Sequence, residues 1–579
     1  MHPSRTPSTP TAPTPAGGLT SRRTLVRTGL VTGAVVAAGG LVGPRPAGLD
    51  SRASAASPRL RTDPFTLGVA SGDPSPDGVV LWTRLALDPL DDSGYGAMPL
   101  RDYQVQWQLA RDERFRRPVH SGTVRAAVDA AHSVHVEPDG LAPGTEYFYR
   151  FRVGEWVSPV GRTRTAPSYD ARGGALAMSF VSCSQYEHGF FTAYRRLAED
   201  EPDLVLHLGD YQYEYTAQDY VAPGGNVRDH RGPETTTLAG YRQRLAQYKS
   251  DADLQAAHAV APWLVVFDDH EVDNNWADDV SEHPEESPAL PARRAAAFQA
   301  YYENMPLRRT SVPRGPDISV YRRLRWGRLA SFHMLDTRQF RDDQACGDGY
   351  DDCPDAARPD RSLPGFEQER WLAEGFAGSR ARWDVIGQQV FFGRRDSTAT
   401  PDNTVSMDAW DGYTASRDRV VSSWVRAQVR NPVVLTGDVH AHWASEVLQD
   451  FRAADSPVVG SEFVCSSITS GGDGYDEPTG QHPWAAYNPN LRFWTNLRGY
   501  VNTRITPDQL RVDYRCVTRV KVPDQPVFTR ASFVVEDGVR GMRQTFDNPL
   551  PSRGAGLRVL PAPRSDAQKI ADTIEAETH

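Results

Sequence analysis

Residues 265–279 read VVFDDHEVDNNWADD. A short apolar run passes directly into carboxylates, amides, one His and one Trp. The run does not alternate, so it reads as a strand buried on both faces. The same grammar recurs along the chain. FVSC ends at Cys183, LVLHLGDYQY carries Asp210 and Tyr213, and LVVFDDHE carries Asp269 and His270. FHMLDTR carries Asp336 and Arg338, and VVLTGDVHAH carries Asp438, His440 and His442. Helical stretches such as FFTAYRRLAED, YRQRLAQY, PARRAAAFQAYYENM and RDRVVSSWVRAQV fall between them. Strands alternating with helices give a layered α/β domain, and further strand-like runs over 457–545 predict two packed mixed β-sheets flanked by helices. In such sheets the carboxyl ends of neighbouring strands meet at one rim. Five acid- or ligand-tipped strands there would collect charge that is costly to bury without cations. In DVHAH, the alternation predicts His440 and His442 on one face of an extended strand.

The chain has 579 residues and a net charge of -10, with 39% hydrophobic and 24% charged residues. It is long enough for more than one domain and a large core. The acidic balance argues against nucleic-acid binding through bulk charge and suits a holder of cations. Residues 1–56 read as a twin-arginine export signal and a disordered N-terminus: a Ser/Thr/Pro-rich lead, Arg22–Arg23, the apolar run 31–43, and ASA at 53–55. Leu25 stands where Phe is commonest in such signals. No stretch reads as a membrane span of the mature protein, so the expected partner is the twin-arginine machinery and the expected location is extracytoplasmic. Residues 64–167 alternate in YQVQWQLA and TEYFYRFRV between turn signals, which predicts a separate immunoglobulin-like β-sandwich. The second domain spans 175–548, and 549–579 form a tail with a short helix. Of five cysteines, Cys346 and Cys353 bracket a short loop that a disulfide could close. Cys465 and Cys516 lie in strand-like runs and could pair across a sheet, which leaves Cys183 unpaired.

GDYQYEY, FDDHEVDNNW, LDTRQF, DAWDGY (408–413) and TGDVHAHW together resemble the PhoD-type alkaline phosphatases, relatives of the calcineurin-like metallophosphoesterases. GVASGDPSPDGVVLWTR (68–84) and SSITSGGDG (466–474) extend the resemblance. It implies a phosphatase site with one Fe3+ and two Ca2+. Carried over by motif, Cys183, Asp210, Tyr213 and His440 would bind iron. Asp210 would bridge to calcium, held also by Asp269 and Asp438, with Asn275 of the Asn274–Asn275 pair as a further ligand. Asp402 and Asp408 both stay open as calcium ligands. The ligand chemistry agrees: thiolate and phenolate suit a trivalent iron, carboxylate and amide oxygens suit calcium. An Fe(III)–tyrosinate pair would be coloured.

The expected reaction is in-line attack on phosphorus by a metal-held oxygen. Ser182 and Ser184 then only shape the Cys183 loop. Arg338 would clamp the phosphate with its planar fork, and His270 or His442 would serve the leaving group or orient ligands. The resemblance also suggests a lid role for the C-terminal helix. Three function classes follow: an exported phosphatase of mono- and diesters, a phospholipase D or other diesterase acting on phospholipid or another diester with the same metals, and a non-enzymatic calcium-dependent binding protein. Calcium binding alone gives no reason for Cys183 or Tyr213.

Overall fold

The computed structural model describes residues 60–400, 402–453, 455–550 and 566–577. The expected export signal over 1–56 lies outside the described residues.

Two large sheets pack face to face. The first has ten strands, in the order Arg543–Asp547, Val527–Glu536, Gln509–Val517, Gly499–Ile505, Leu176–Val181, Leu204–Leu208, Pro262–Val266, Val69–Gly72, Val80–Arg84 and Ser133–Val136. The second has seven: Arg322–Trp326, Ala330–Met334, Trp383–Gln388, Pro432–Thr436, Val458–Val464, His442–Leu448 and Leu491–Thr495. At the heart of each, the strands are parallel, joining Leu176–Val181, Leu204–Leu208 and Pro262–Val266 in one sheet. Ala330–Met334, Trp383–Gln388, Pro432–Thr436 and Val458–Val464 do the same in the other. Most of these central residues are fully buried, as unbroken apolar runs require when both faces are covered. Leu206, Leu264, Phe332, Val385, Leu435 and Phe463 fill the space between the sheets. Helices Thr192–Glu199, Leu238–Lys249, Ala252–Val260 and Leu290–Asn304 cover the first sheet around Tyr194, Trp263 and Phe298. Helices Phe366–Gly378 and Thr414–Arg426 cover the second around Phe376, Trp410 and Trp424. The result is two mixed sheets flanked by helices.

The N-terminal strands form a β-sandwich, but not a separate one. Pro118–Ala126, Tyr103–Ala110, Glu146–Val153, Trp156–Val157 and Gly161–Arg164 make one sheet. The opposing strands are the last three of the ten-stranded sheet, joined to it by parallel pairing of Ser71 with Pro262 and Gly72 with Trp263. A Cβ at Gly72 would come within 2.4 Å of Pro306 O and 2.8 Å of Trp263 O, so the close approach needs glycine. Trp82 Nε1 donates to Glu303 O (2.9 Å), and Arg242 Nη2 donates to Asp129 O (2.8 Å). These contacts tie the sandwich to the second domain.

Cys346 and Cys353 form a disulfide. Cys465 and Cys516 do not pair; both are buried thiols. Cys465 follows a strand of the seven-stranded sheet, whereas Cys516 lies in the ten-stranded one. Facing sheets stand about 10 Å apart, beyond the Cα separation of roughly 7 Å that a disulfide spans. Near the C-terminus, helix Asp566–Glu577 packs Ile570 and Ile574 on a cluster holding Trp443, Trp484 and Trp494. Thr573 Oγ1 lies 3.1 Å from His482 Nε2.

Candidate metal centre

The acid-tipped strands end at one rim. Cys183 follows Leu176–Val181, Asp210 follows Leu204–Leu208, and Asp268 and Asp269 follow Pro262–Val266. Asp438 and His440 follow Pro432–Thr436. Ligand atoms of Cys183, Asp210 and His440 lie within 4.8 Å of one another, as do those of Asp210, Asp269 and His270, and of Asp210, Asp268 and Asp438. Asp210 belongs to all three groups. Tyr213 Oη lies 3.1 Å from Asp210 Oδ2 and 3.1 Å from His440 Nε2. The sulfur, phenol and imidazole that the motifs single out therefore meet.

Backbone geometry marks the same residues. Cys183, Asp210, Asn275, Asp438 and His440 all have left-handed φ, between +49° and +66°. Five of the seven expected ligands thus occupy a region that costs a non-glycine residue about 1–2 kcal/mol. Such strain persists where surrounding structure over-determines it, and it clusters at functional sites. It also overturns one expectation. His440 and His442 do not share the face of a strand, because residues 437–441 bend and the strand begins only at His442. His442 is turned to other neighbours: its Nδ1 accepts from Ser466 N (3.0 Å) and its ring packs on Tyr514.

A cation fits this donor set. The Tyr213 hydroxyl carries one hydrogen, yet it faces both an Asp210 oxygen and a His440 ring nitrogen. Asp210 Oδ1, Asp268 Oδ2 and His440 Nδ1 are buried without partners, a costly state for polar atoms cut off from water. Burial, followed by the neighbouring carboxylates, drives the Cys183 thiol well above its ordinary pKa. Burial also raises Asp210 and Asp438 far above the carboxylate range, with nearby carboxylates adding to it. Asp268 is pushed up to about 7 by burial despite Arg338. For Asp269, burial is outweighed by Arg338, His270 and the amide of Asn275, which hold it below the usual range. Excess anionic donors that resist ionisation in a dry cluster are what cations would relieve.

The remaining expected residues support the centre from different sides. His270 packs its ring 4.0 Å from that of Tyr213, and its Nδ1 lies 2.9 Å from Glu214. Burial alone would discharge this imidazole, but Glu214, Asp269 and Asp210 raise its pKa well above the ordinary value. Asn275 donates its backbone N–H to Asp269 Oδ2 (2.9 Å). Arg338 is fully buried and its fork is occupied by protein: Nε donates to Asp268 (2.6 Å), and Nη1 and Nη2 to Asp408 (2.8 and 2.9 Å). It fastens two loops together instead of presenting an open fork to solvent. Asp336 caps its own loop, accepting from the amides of Arg338 and Gln339. Of the two open aspartates, Asp408 is buried beside the centre and bound by Arg338 and Arg341, while Asp402 is exposed.

Three functional residues escaped the sequence reading. Asp268 completes a carboxylate group with Asp210 and Asp438. Glu271 accepts the backbone N–H groups of Asp210, Tyr211 and Asp268, so it binds two ligand loops together. Glu214 orients His270. Their signal was in plain view, as extra carboxylates inside FDDHE and GDYQYEY, but adjacency in sequence does not say which oxygen faces the cluster.

Comparison with known proteins places these features in a family. Residues 177–514 match the model of the PhoD-like phosphatases, and residues 51–167 match that of the PhoD-like phosphatase N-terminal domain. Alkaline phosphatase D of Bacillus subtilis (strain 168) is 49% identical over 490 residues, 84% of this chain and 84% of that protein. The solved structure of PhoD superposes with a TM-score of 0.85 at 47% identity, covering 90% of this chain and 98% of that one. The chain belongs to the PhoD-like phosphatase family.

Proposed function

We propose that this protein is an exported alkaline phosphatase that hydrolyses phosphomonoesters and phosphodiesters at a centre of one Fe3+ and two Ca2+. Metal-dependent hydrolysis of phosphoric esters follows from the family and from its likeness to alkaline phosphatase D. The observation that carries the finer reading is the buried meeting of Cys183, Tyr213, Asp210 and His440 beside Asp268, Asp269 and Asp438. Thiolate, phenolate and imidazole would hold the iron; the carboxylates would hold calcium, with Asp210 shared. Bound there, the cations supply Lewis acidity, lowering the pKa of water and neutralising charge on the phosphoryl oxygens.

The protein's own groups do the rest. Arg338 fixes Asp268 and Asp408 so that the carboxylate side keeps its shape when substrate arrives. His270, locked in orientation by Glu214, is the group we assign to protonating the leaving oxygen. His442, turned toward Tyr514, keeps a supporting role through Ser466. Export through the twin-arginine route would let the iron load before translocation.

Turnover of p-nitrophenyl phosphate, bis-p-nitrophenyl phosphate and phosphatidylcholine, with and without chelator, tests the reading alongside iron and calcium analysis. Chelator-sensitive turnover of the first two supports it. Cleavage of phosphatidylcholine alone would make the protein a phospholipase, and no turnover of any would leave a binding protein.

A further inference from the structure

The motif SSITSGGDG (466–474) supplies none of the ligand candidates, yet Ser466–Ser470 are fully buried. Its bonds explain why. Ile468 N donates to Cys183 O (3.1 Å), and Ser470 Oγ donates to Tyr213 Oη (2.8 Å). Ser466 N donates to His442 Nδ1. The third ligand is reached through Arg498, which lies beside this loop. Its guanidinium donates to His440 O, to Gly472 O (2.9 Å) and to Ser466 Oγ (3.4 Å). Arg498 is only 4% exposed, and among the described residues it has no carboxylate within ion-pair distance. The loop is shaped around it: Gly471 has φ +83°, and a Cβ there would fall 2.5 Å from Arg498 Nη2. The loop and Arg498 together therefore touch Cys183, Tyr213 and His440.

Tyr213 gives its own hydrogen to Asp210 Oδ2, and Ser470 gives its single hydrogen to the Tyr213 oxygen while accepting from Gln185 N (3.1 Å). Arg498, for its part, grips the carbonyl of His440, a residue held at φ +49°. We propose that Ser470 and Arg498 are positioning residues for the thiolate–phenolate–imidazole side. Ser470 donates a hydrogen bond to the Tyr213 oxygen and sets its donor strength, and Arg498 pins His440 in its left-handed turn. This rests on the reading of Tyr213 and His440 as iron ligands. Partners behind a metal ligand commonly set its orientation and basicity. A hydrogen bond to a phenolate withdraws electron density and moves phenolate-to-iron charge transfer to shorter wavelength. Its loss moves the band to longer wavelength.

The experiment compares visible spectra, iron content and kinetics on p-nitrophenyl phosphate of the purified wild type with those of Ser470→Ala, Ser470→Thr and Arg498→Met. Ser470→Ala is expected to keep the wild-type iron content and shift the band to longer wavelength. Its kcat should fall about 10-fold with KM little changed. Ser470→Thr, which keeps the hydroxyl, should restore the band. Arg498→Met is expected to weaken iron binding roughly 10–100-fold. An unshifted band in Ser470→Ala overturns the role of Ser470, as does a shift that Ser470→Thr fails to correct. Arg498→Met with full iron and the wild-type band overturns the role of Arg498. A colourless, iron-free wild type overturns the iron reading itself, and this proposal with it, before any variant is made.

Discussion

The centre has two sides that share Asp210 and are held in opposite ways. The side of Cys183, Tyr213 and His440 is braced by hydrogen bonds to neutral groups: from a serine hydroxyl, from backbone amides, and from the Arg498 guanidinium, which reaches carbonyl and hydroxyl oxygens. The side of Asp268, Asp269 and Asp438 is braced by charge, with Arg338 spanning Asp268 and Asp408 and lying 3.5 Å from Asp269. The difference bears on the proposed pairing of two kinds of cation. Strongly donating thiolate and phenolate would suit Fe3+, whereas carboxylates whose repulsion is relieved by arginine would suit calcium.

The sharpest way to break this comparison is to remove the sulfur. Cys183→Ala is expected to lose iron and colour and to lower kcat/KM on the order of 10³-fold, about 4 kcal/mol, while calcium content is retained. Full iron and full activity would erase the distinction between the sides. Next comes Arg338→Met, which leaves Asp268 and Asp408 without their shared cation. Chemical denaturation of the chelated protein should show a loss of roughly 3 kcal/mol or more, and added calcium should recover part of it. Asp268→Asn is milder. Calorimetry is expected to find calcium binding weakened about 10–100-fold, with the visible band unmoved; a moved band would mean that the sides are not separable.

The smallest effect is pH-dependent and is read on the carboxylate side. In chelated protein, burial lifts Asp268 to about 7 and Glu271 to about 8. A carboxyl whose pKa is raised by folding keeps its proton in the native state after the unfolded chain has lost its own. Stability is therefore greatest below about pH 4 for these groups and falls as pH rises toward 8. Asp269 and Asp408 are lowered instead, so their contribution is present above the ordinary carboxylate pKa and is lost in acid. The chelated wild type should thus lose more melting temperature between pH 5 and pH 8.5 than chelated Asp268→Asn, in which this group cannot titrate, and calcium should narrow the difference. An equal loss in the two proteins without metal would contradict it.

Much of this was legible before any coordinates. Buried parallel strands announce themselves as unbroken apolar runs, so the tips at Cys183, Asp210, Asp269 and Asp438 could be lined up by strand order alone. The disulfide Cys346–Cys353 was readable because its partners are close in sequence. Partners distant in sequence were not. Cys465 and Cys516 share a strand-like setting but belong to different sheets. Arg338 carries the fork that a phosphate needs, yet its partners, Asp268 and Asp408, are each 70 residues away.

Hydrophobic period and motif spacing are properties of neighbouring residues, so the sequence by itself determined the layered α/β class, the sandwich before it and the chemistry available at the rim. Only the tertiary structure decided which donors face one another. Left-handed turns at Cys183, Asp210, Asp438 and His440 re-aim side chains after each strand ends. That is why His440 meets Tyr213 while His442, two residues on, does not. The same holds for the sandwich, whose pairing with the Pro262–Val266 strand depends on a backbone approach that no local pattern encodes.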